Sequence, residues 1–271
     1  MRILRVSVVV LFVIVFAAFS FVFLKEKFTK DTTIPQITIE DELIDVSLKA
    51  TDEELLAGVS AYDEKDGDLT DKIIIESVSR FVEPGVSRVT YAVCDEDNNI
   101  TSATRKIRYK GYESPKFHLN RSLCYSVYET PKLKDVVTVT DSISGDITSD
   151  LILTSEDYTK SVTGVFNINA KVITAKGDTA ALDIPLIVEE RSESAPEIEL
   201  KDYLIYADKG DEIDFEEYLV KATDSEDKDI TDDVTIEKKI NMKKPGTYLV
   251  HYYAVDDNDN KGHSVLVVVV R

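Results

Sequence analysis

Tryptophan is absent from this 271-residue chain, and cysteine and histidine are scarce, with two and three copies. So few thiols and imidazoles exclude a haem site, a zinc site built from several such ligands, and a small fold stapled by disulfides. Glycine and proline are also sparse, at 10 and 7 residues, while 43% of the chain is apolar. That balance excludes collagen-like and wholly disordered classes. Basic side chains are in deficit, with 32 Lys and Arg against 51 Asp and Glu and a net charge of −19. A surface of that sign repels polyanions, so nucleic acid is excluded as a partner.

What is present begins with an apolar run. Arg2 and Arg5 precede Val6 to Leu24, interrupted only by Ser7 and Ser20, and Lys25, Glu26, Lys27 and Lys30 then restore polarity. As a helix this run spans about 28 Å, close to the hydrocarbon thickness of a bilayer. Ala18, Phe19 and Ser20 offer a poor cleavage site, which is the rival reading of a secretory signal. The run continues through Phe21, Val22, Phe23 and Leu24, so an uncleaved anchor is favoured. Basic residues flank both sides and set orientation only weakly. The acidic, strand-patterned remainder places the C-terminal region outside the cell. Residues 1–31 are therefore read as signal anchor and stem, with a secreted product if the segment is cleaved.

The rest of the chain repeats at a period of about 80 residues. Each copy opens with a proline and an alternating strand: Pro35, Ile37, Ile39; Pro115, Phe117, Leu119; Pro196, Ile198, Leu200. A second strand then ends at an aspartate: Val59, Ala61, Asp63; Val137, Val139, Asp141; Val220, Ala222, Asp224. Next comes an aspartate, an aliphatic residue and a threonine: Asp68-Leu69-Thr70, Asp146-Ile147-Thr148, Asp229-Ile230-Thr231. Pro84-Gly85, Thr163-Gly164 and Pro245-Gly246 precede the longest strands, which carry Val89, Tyr91 and Val93, then Ile168, Ala170 and Val172, then Val250, Tyr252 and Ala254. The period of two gives each strand one core face, and the absence of helical periodicity predicts antiparallel sandwiches.

This order of motifs resembles the bacterial immunoglobulin-like repeats found in tandem on surface proteins. The resemblance covers residues 32–271 and implies extracellular β-sandwich modules used as stalks, spacers, or adhesive and carbohydrate-contacting units, with no shared catalytic residues. The expected fold is all-β: three tandem Ig-like antiparallel sandwiches at 32–110, 111–191 and 192–271 after one transmembrane helix. The middle copy diverges most, with Ser144 in place of the first acid of Asp66-Gly67-Asp68 and Thr163 in place of proline. Short linkers at Lys110 to Ser114 and Glu190 to Ala195 predict a semi-rigid stalk.

Candidate chemistry is thin. Asp63, Asp66, Asp68 and Asp71, and likewise Asp224, Asp227, Asp229 and Asp232, gather enough oxygens to be calcium candidates. Turn formation through side-chain to backbone hydrogen bonds is the favoured explanation, because neither loop supplies EF-hand spacing. No metal ligand, cofactor or catalytic residue is assigned. Asp256 to Asn260 reads as a hairpin turn. Cys94 and Cys124 are expected as free, mostly buried thiols, and His118, His251 and His263 as scattered side chains that form no triad. Tyr125, Tyr128, Tyr203 and Tyr206 are candidates for stacking on sugars, although one of each pair is expected to pack inward. The expected function is a non-enzymatic, membrane-anchored cell-surface stalk, adhesion or interaction protein. The alternative is a module that binds carbohydrate or a cell-envelope polymer, possibly stiffened by calcium.

Overall fold

A computed structural model describes residues 2–29, 33–155, 157–159 and 161–271, without side chains at 2–6 and 26–29. Lys30, Asp31 and Thr32, which carry the end of the expected stem and the first domain boundary, lie outside the described residues. Helix α1 (Arg2–Thr29) contains the Ser7–Lys25 stretch, whose mean hydropathy of 3.0 and length suffice to cross a membrane. Its described apolar side chains find no protein cover: Phe12 is 68% and Phe21 70% exposed. A helix apolar all round is stable in lipid rather than in water, and a signal sequence meets the same description.

The chain divides into two compact units, Met1–Lys110 and Gly111–Arg271. In the first, the strands are β1 (Gln36–Ile39), β2 (Leu43–Val46), β3 (Val59–Asp63), β4 (Gly67–Asp68), β5 (Ile74–Val78), β6 (Val86–Cys94) and β7 (Ile100–Tyr109). They form two sheets ordered β1-β3-β4 and β2-β7-β6-β5. Val59, Ala61 and Leu69 from one sheet and its flanking turn, and Val89, Tyr91, Val93 and Ile107 from the other, are buried.

The second unit holds two further pairs of sheets. One pair is built from β8 (Lys116–Leu119), β9 (Cys124–Ser126), β10 (Val137–Asp141), β11 (Gly145–Asp146), β12 (Ile152–Thr154), β13 (Gly164–Ile173) and β14 (Thr179–Glu189), ordered β11-β10-β8 and β12-β13-β14-β9. The other is built from β15 (Glu197–Leu200), β16 (Leu204–Ala207), β17 (Leu219–Thr223), β18 (Thr235–Lys239), β19 (Gly246–Val255) and β20 (Lys261–Val270), ordered β15-β17 and β16-β20-β19-β18. Strands begin directly after Pro35, Pro115 and Pro196, where a missing N–H disrupts no central ladder.

Among the described residues, pairing is antiparallel except for one parallel pair in each sandwich: β2 with β7, β9 with β14, and β16 with β20. The opening strand of each repeat serves the small sheet, and the chain then crosses to run beside the last strand of the large sheet. Alternation reveals which residues face the core but not which sheet a short strand joins, so these parallel edges depart from the purely antiparallel expectation.

The recurring Asp-aliphatic-Thr triplet has one structural job in all three copies. Asp68, Asp146 and Asp229 each accept the backbone N–H of the threonine two residues on, at 2.9, 2.9 and 3.0 Å. The hydroxyls of Thr70, Thr148 and Thr231 accept the N–H of Ala61, Val139 and Ala222 at 3.2, 3.0 and 2.9 Å. Between them Leu69, Ile147 and Ile230 are buried. One hydrogen bond closes the triplet on itself, and the other, with the apolar plug, pins the turn onto the preceding strand.

Short helices also occur where no helical periodicity is legible. Helix α2 (Asp52–Leu56) starts at Thr51, whose side chain accepts Glu54 N, and α3 (Leu133–Val136) precedes β10. Thr51-Asp52-Glu53-Glu54 has capping-box spacing, but Glu54 accepts from Ser47 N and Oγ instead of from Thr51.

β20 explains why the second unit is one body. Nearly every residue from Gly262 to Val270 is buried, unlike the alternating β7. Leu266, Val268 and Val270 pack with Val250 and Tyr252 inside their own sandwich. On the opposite face Val267 joins the core containing Phe117, Tyr125 and Leu186, while Val265 packs with Cys124 and Ile187. A strand covered on both faces reads as an unbroken apolar run, and Val265 to Val270 is one.

Candidate functional site

The acidic loops use their carboxylates locally. Asp63 Oδ1 accepts Lys65 N and Asp66 N at 2.8 and 3.1 Å, and Asp66 Oδ2 accepts Glu96 N at 2.9 Å. Asp224 Oδ1 accepts Glu226 N and Lys228 N, both at 2.9 Å. Asp71 and Asp232 lie in 3-10 turns, and Asp227 occupies the left-handed region at φ 63°. Asp256 Oδ1 accepts Asn258 N and Asn260 N, closing the hairpin between β19 and β20. Hydrogen bonds from Thr70, Thr148 and Thr231 hold the Asp68, Asp146 and Asp229 carboxyls below the usual range.

One tyrosine pair divides into a buried and an exposed ring, whereas Tyr203 and Tyr206 are both half-buried. Tyr125 is buried at 3% and Tyr128 is 81% exposed. Tyr203 is half-buried and accepts Leu200 N at 3.3 Å, and Tyr206 accepts Phe117 N at 2.8 Å beneath the Arg271 guanidinium.

Both cysteines are free, Cys94 partly exposed and Cys124 buried. The histidines, however, are not all scattered. His118 is apart, paired with Thr140 Oγ1, but His263 on β20 meets Cys124 on β9 across the two sandwiches of the second unit. Its Nδ1 lies 3.3 Å from Cys124 Sγ and 2.9 Å from Glu189 Oε2 at the end of β14. Cys124 Sγ in turn lies 3.4 Å from Glu189 Oε1. Behind this trio, His251 Nδ1 sits 2.9 Å from His263 Nε2, with Tyr253 stacked on both rings. His251 is half-buried.

Register makes the arrangement. β9 runs parallel to β14 with Cys124 opposite Ile187, which brings Glu189 alongside the cysteine. On the neighbouring hairpin His263 is paired with Tyr253, so His251 lies on the same face two residues away. Arg191 ties the two sides together, donating to the Cys124 carbonyl at 3.4 Å, the His263 carbonyl at 3.2 Å and Glu129 at 3.3 Å.

Burial and the Glu189 charge push the Cys124 thiol far up. Burial alone raises Glu189, but hydrogen bonding and charge from His263, with help from Cys124 and Arg191, leave it below the ordinary value. Burial and the neighbouring His263 push His251 down. A thiol kept protonated is a poor nucleophile, since the thiolate is the reactive form. Cys124 and His263 open onto a cleft of about 790 Å³ that is also lined by Tyr128, Glu129, Arg191 and Tyr203, among others. Among the described residues, Cys124, Glu189 and His263 are the group whose donor atoms all lie within 4.8 Å of one another, and none of the eight candidate aspartates belongs to it.

Residues 45–108 and 204–270 match the family model described as bacterial surface protein, Ig-like domain. Comparison with curated proteins finds no match. Among solved structures, the CBM51-2 and INT domains of Clostridium perfringens ZmpB, in complex with GlcNAc, are similar at 19% identity and a TM-score of 0.24, covering 55% of this chain and 26% of that one. Domains 4–9 of the surface layer protein SbsC share 11% identity at a TM-score of 0.23, covering 88% of this chain and 50% of that one. A lipoprotein of Bacteroides thetaiotaomicron shares 13% identity at a TM-score of 0.22, covering 86% of this chain and 99% of that one. The chain thus spans about a quarter of the first and half of the second. Superpositions this loose identify neither a ligand nor an activity.

Proposed function

Because this chain carries bacterial surface Ig-like domains at residues 45–108 and 204–270, we propose that it is a non-enzymatic stalk or interaction protein of the cell surface. Three sandwiches, at 32–110, 111–191 and 192–271, are held outside the membrane by α1 as an uncleaved single-pass anchor. The observation that carries this reading is the succession of an uncovered apolar helix and surface-type domains whose conspicuous acids serve as turn ties.

Alkaline carbonate washing of membranes, with mass spectrometry of the mature N-terminus, tests the anchor. The proposal expects a chain that resists extraction and retains Val6 to Leu24. A mature chain starting beyond Ser20, recovered from the medium, makes it a secreted protein instead.

A second reading rests on Tyr128, an exposed aromatic lining the cleft beside Glu129 and Arg191. Such a ring can stack on a sugar while the charged neighbours bind hydroxyls. Glycan-array binding abolished by Tyr128→Ala supports it, and binding unchanged by that substitution rejects it.

A further inference from the structure

We propose that Cys124, Glu189 and His263 form a binding site for a borderline-soft divalent metal ion, Zn²⁺ in the first instance, that fastens the two sandwiches of the second unit. The proposal does not depend on membrane anchoring or on a glycan ligand. A thiolate, an imidazole and a carboxylate are the donor types that tetrahedral zinc takes, and Ca²⁺ or Mg²⁺ would instead require oxygen ligands. The scarcity of cysteine and histidine in the sequence excluded only sites with several of either. One of each, completed by a carboxylate, is enough.

The geometry fits with little movement. Zinc bond lengths at tetrahedral angles separate a sulfur, a nitrogen and an oxygen ligand by about 3.4–3.6 Å. Here Sγ and Nδ1 are 3.3 Å apart, the carboxylate meets the two through different oxygens, Oε1 at 3.4 Å from Sγ and Oε2 at 2.9 Å from Nδ1, and one donor atom from each residue lies within 4.8 Å of the other two. Widening the Nδ1 to carboxylate contact and turning the Glu189 carboxylate so that one oxygen faces both partners makes room for the ion. The Cys124 proton then leaves to solvent, and the direct His263 to Glu189 bond is replaced by two bonds to the metal.

The surroundings are those of a supported site. His263 uses Nδ1 toward the trio and Nε2 toward His251 Nδ1, so a neutral ring coordinating through Nδ1 donates its remaining proton to His251. Arg191 fixes the backbone of both Cys124 and His263. Cys124 and His263 also line the cleft, which provides an entry path and room for water as the fourth ligand. Two ligands come from one sandwich and one from the other, so a bound ion cross-links elements 139 residues apart.

The test uses the reduced, untagged, metal-free full chain in detergent, titrated with Co²⁺ as a spectroscopic stand-in and then with Zn²⁺. The expected result is one equivalent of Co²⁺ with tetrahedral d–d bands and a thiolate-to-cobalt charge-transfer band, all abolished by Zn²⁺. Cys124→Ser loses the charge-transfer band, Cys94→Ser keeps it, and His251→Phe keeps the spectrum while weakening affinity about 10- to 100-fold. Absence of a charge-transfer band in the unmodified chain overturns the proposal without any variant. Survival of the band in Cys124→Ser, or its loss in Cys94→Ser, overturns it too.

Discussion

The Tyr252 hydroxyl donates to the Phe215 carbonyl at 2.7 Å from a side chain with no exposed surface. Tyr91 makes the equivalent bond to Leu55 at 2.6 Å, reinforced by Arg105, whereas Ala170 stands at this place in the middle repeat. Removing the Tyr252 hydroxyl leaves the buried Phe215 carbonyl with only the longer bond from Tyr218 N, at 3.4 Å. Tyr252→Phe should therefore cost about 1–3 kcal/mol in urea unfolding, with secondary structure unchanged. A neutral substitution would show that Tyr218 N alone satisfies the carbonyl.

The three threonine ties should be interchangeable in energy. Thr70→Val, Thr148→Val and Thr231→Val each remove the hydroxyl that accepts a strand N–H, which at Thr70 also donates to the Ala61 carbonyl at 3.5 Å and at Thr231 to Asp229 at 2.6 Å, and should each cost about 1 kcal/mol. Equal losses measured by denaturation would mark the motif as scaffold. A loss confined to one copy would point to a local role there.

Acid should loosen the same turns. Asp68, Asp146 and Asp229 have folded-state carboxyl values below those of the unfolded chain, so their contribution is complete above about pH 4 and vanishes as pH falls through the folded-state values. The stability difference between the unmodified chain and the triple Asp→Asn variant should shrink as pH falls from 5 to about 2. A constant difference across that range contradicts the assignment.

The two sandwiches of the second unit should unfold together, because β20 contributes to both cores. Val267→Ala empties part of the shared core and should destabilise the unit by about 2 kcal/mol. Hydrogen exchange should then quicken in β13 as well as in β19, although the substitution lies on β20. Faster exchange in β19 and β20 alone would show that the sandwiches unfold independently.

Much of the fold was legible because the repeat tests itself. Three copies of Asp-aliphatic-Thr at a constant offset from a Val/Ala strand fix the turn, the strand and the buried face without tertiary information. The Cys124, Glu189 and His263 trio was not legible. It depends on how two sandwiches pack, and no local periodicity encodes a meeting between residue 124 and residue 263. The one available signal was the unbroken run Val265 to Val270, which a strand with a solvent face does not need. Read that way, it says that β20 has a second neighbour, and His263 stands at its edge. The parallel edge strands stayed hidden for a related reason: β2, β9 and β16 have only four, three and four residues, too few to declare a partner.

Protease treatment of intact, single-membrane cells carrying the full chain tests the proposed placement most directly. With α1 as an anchor and the sandwiches outside, protease should remove a C-terminal epitope from intact cells, while untreated protein stays with the membranes. An epitope protected until the cells are lysed would contradict the placement, whatever the fold of the domains.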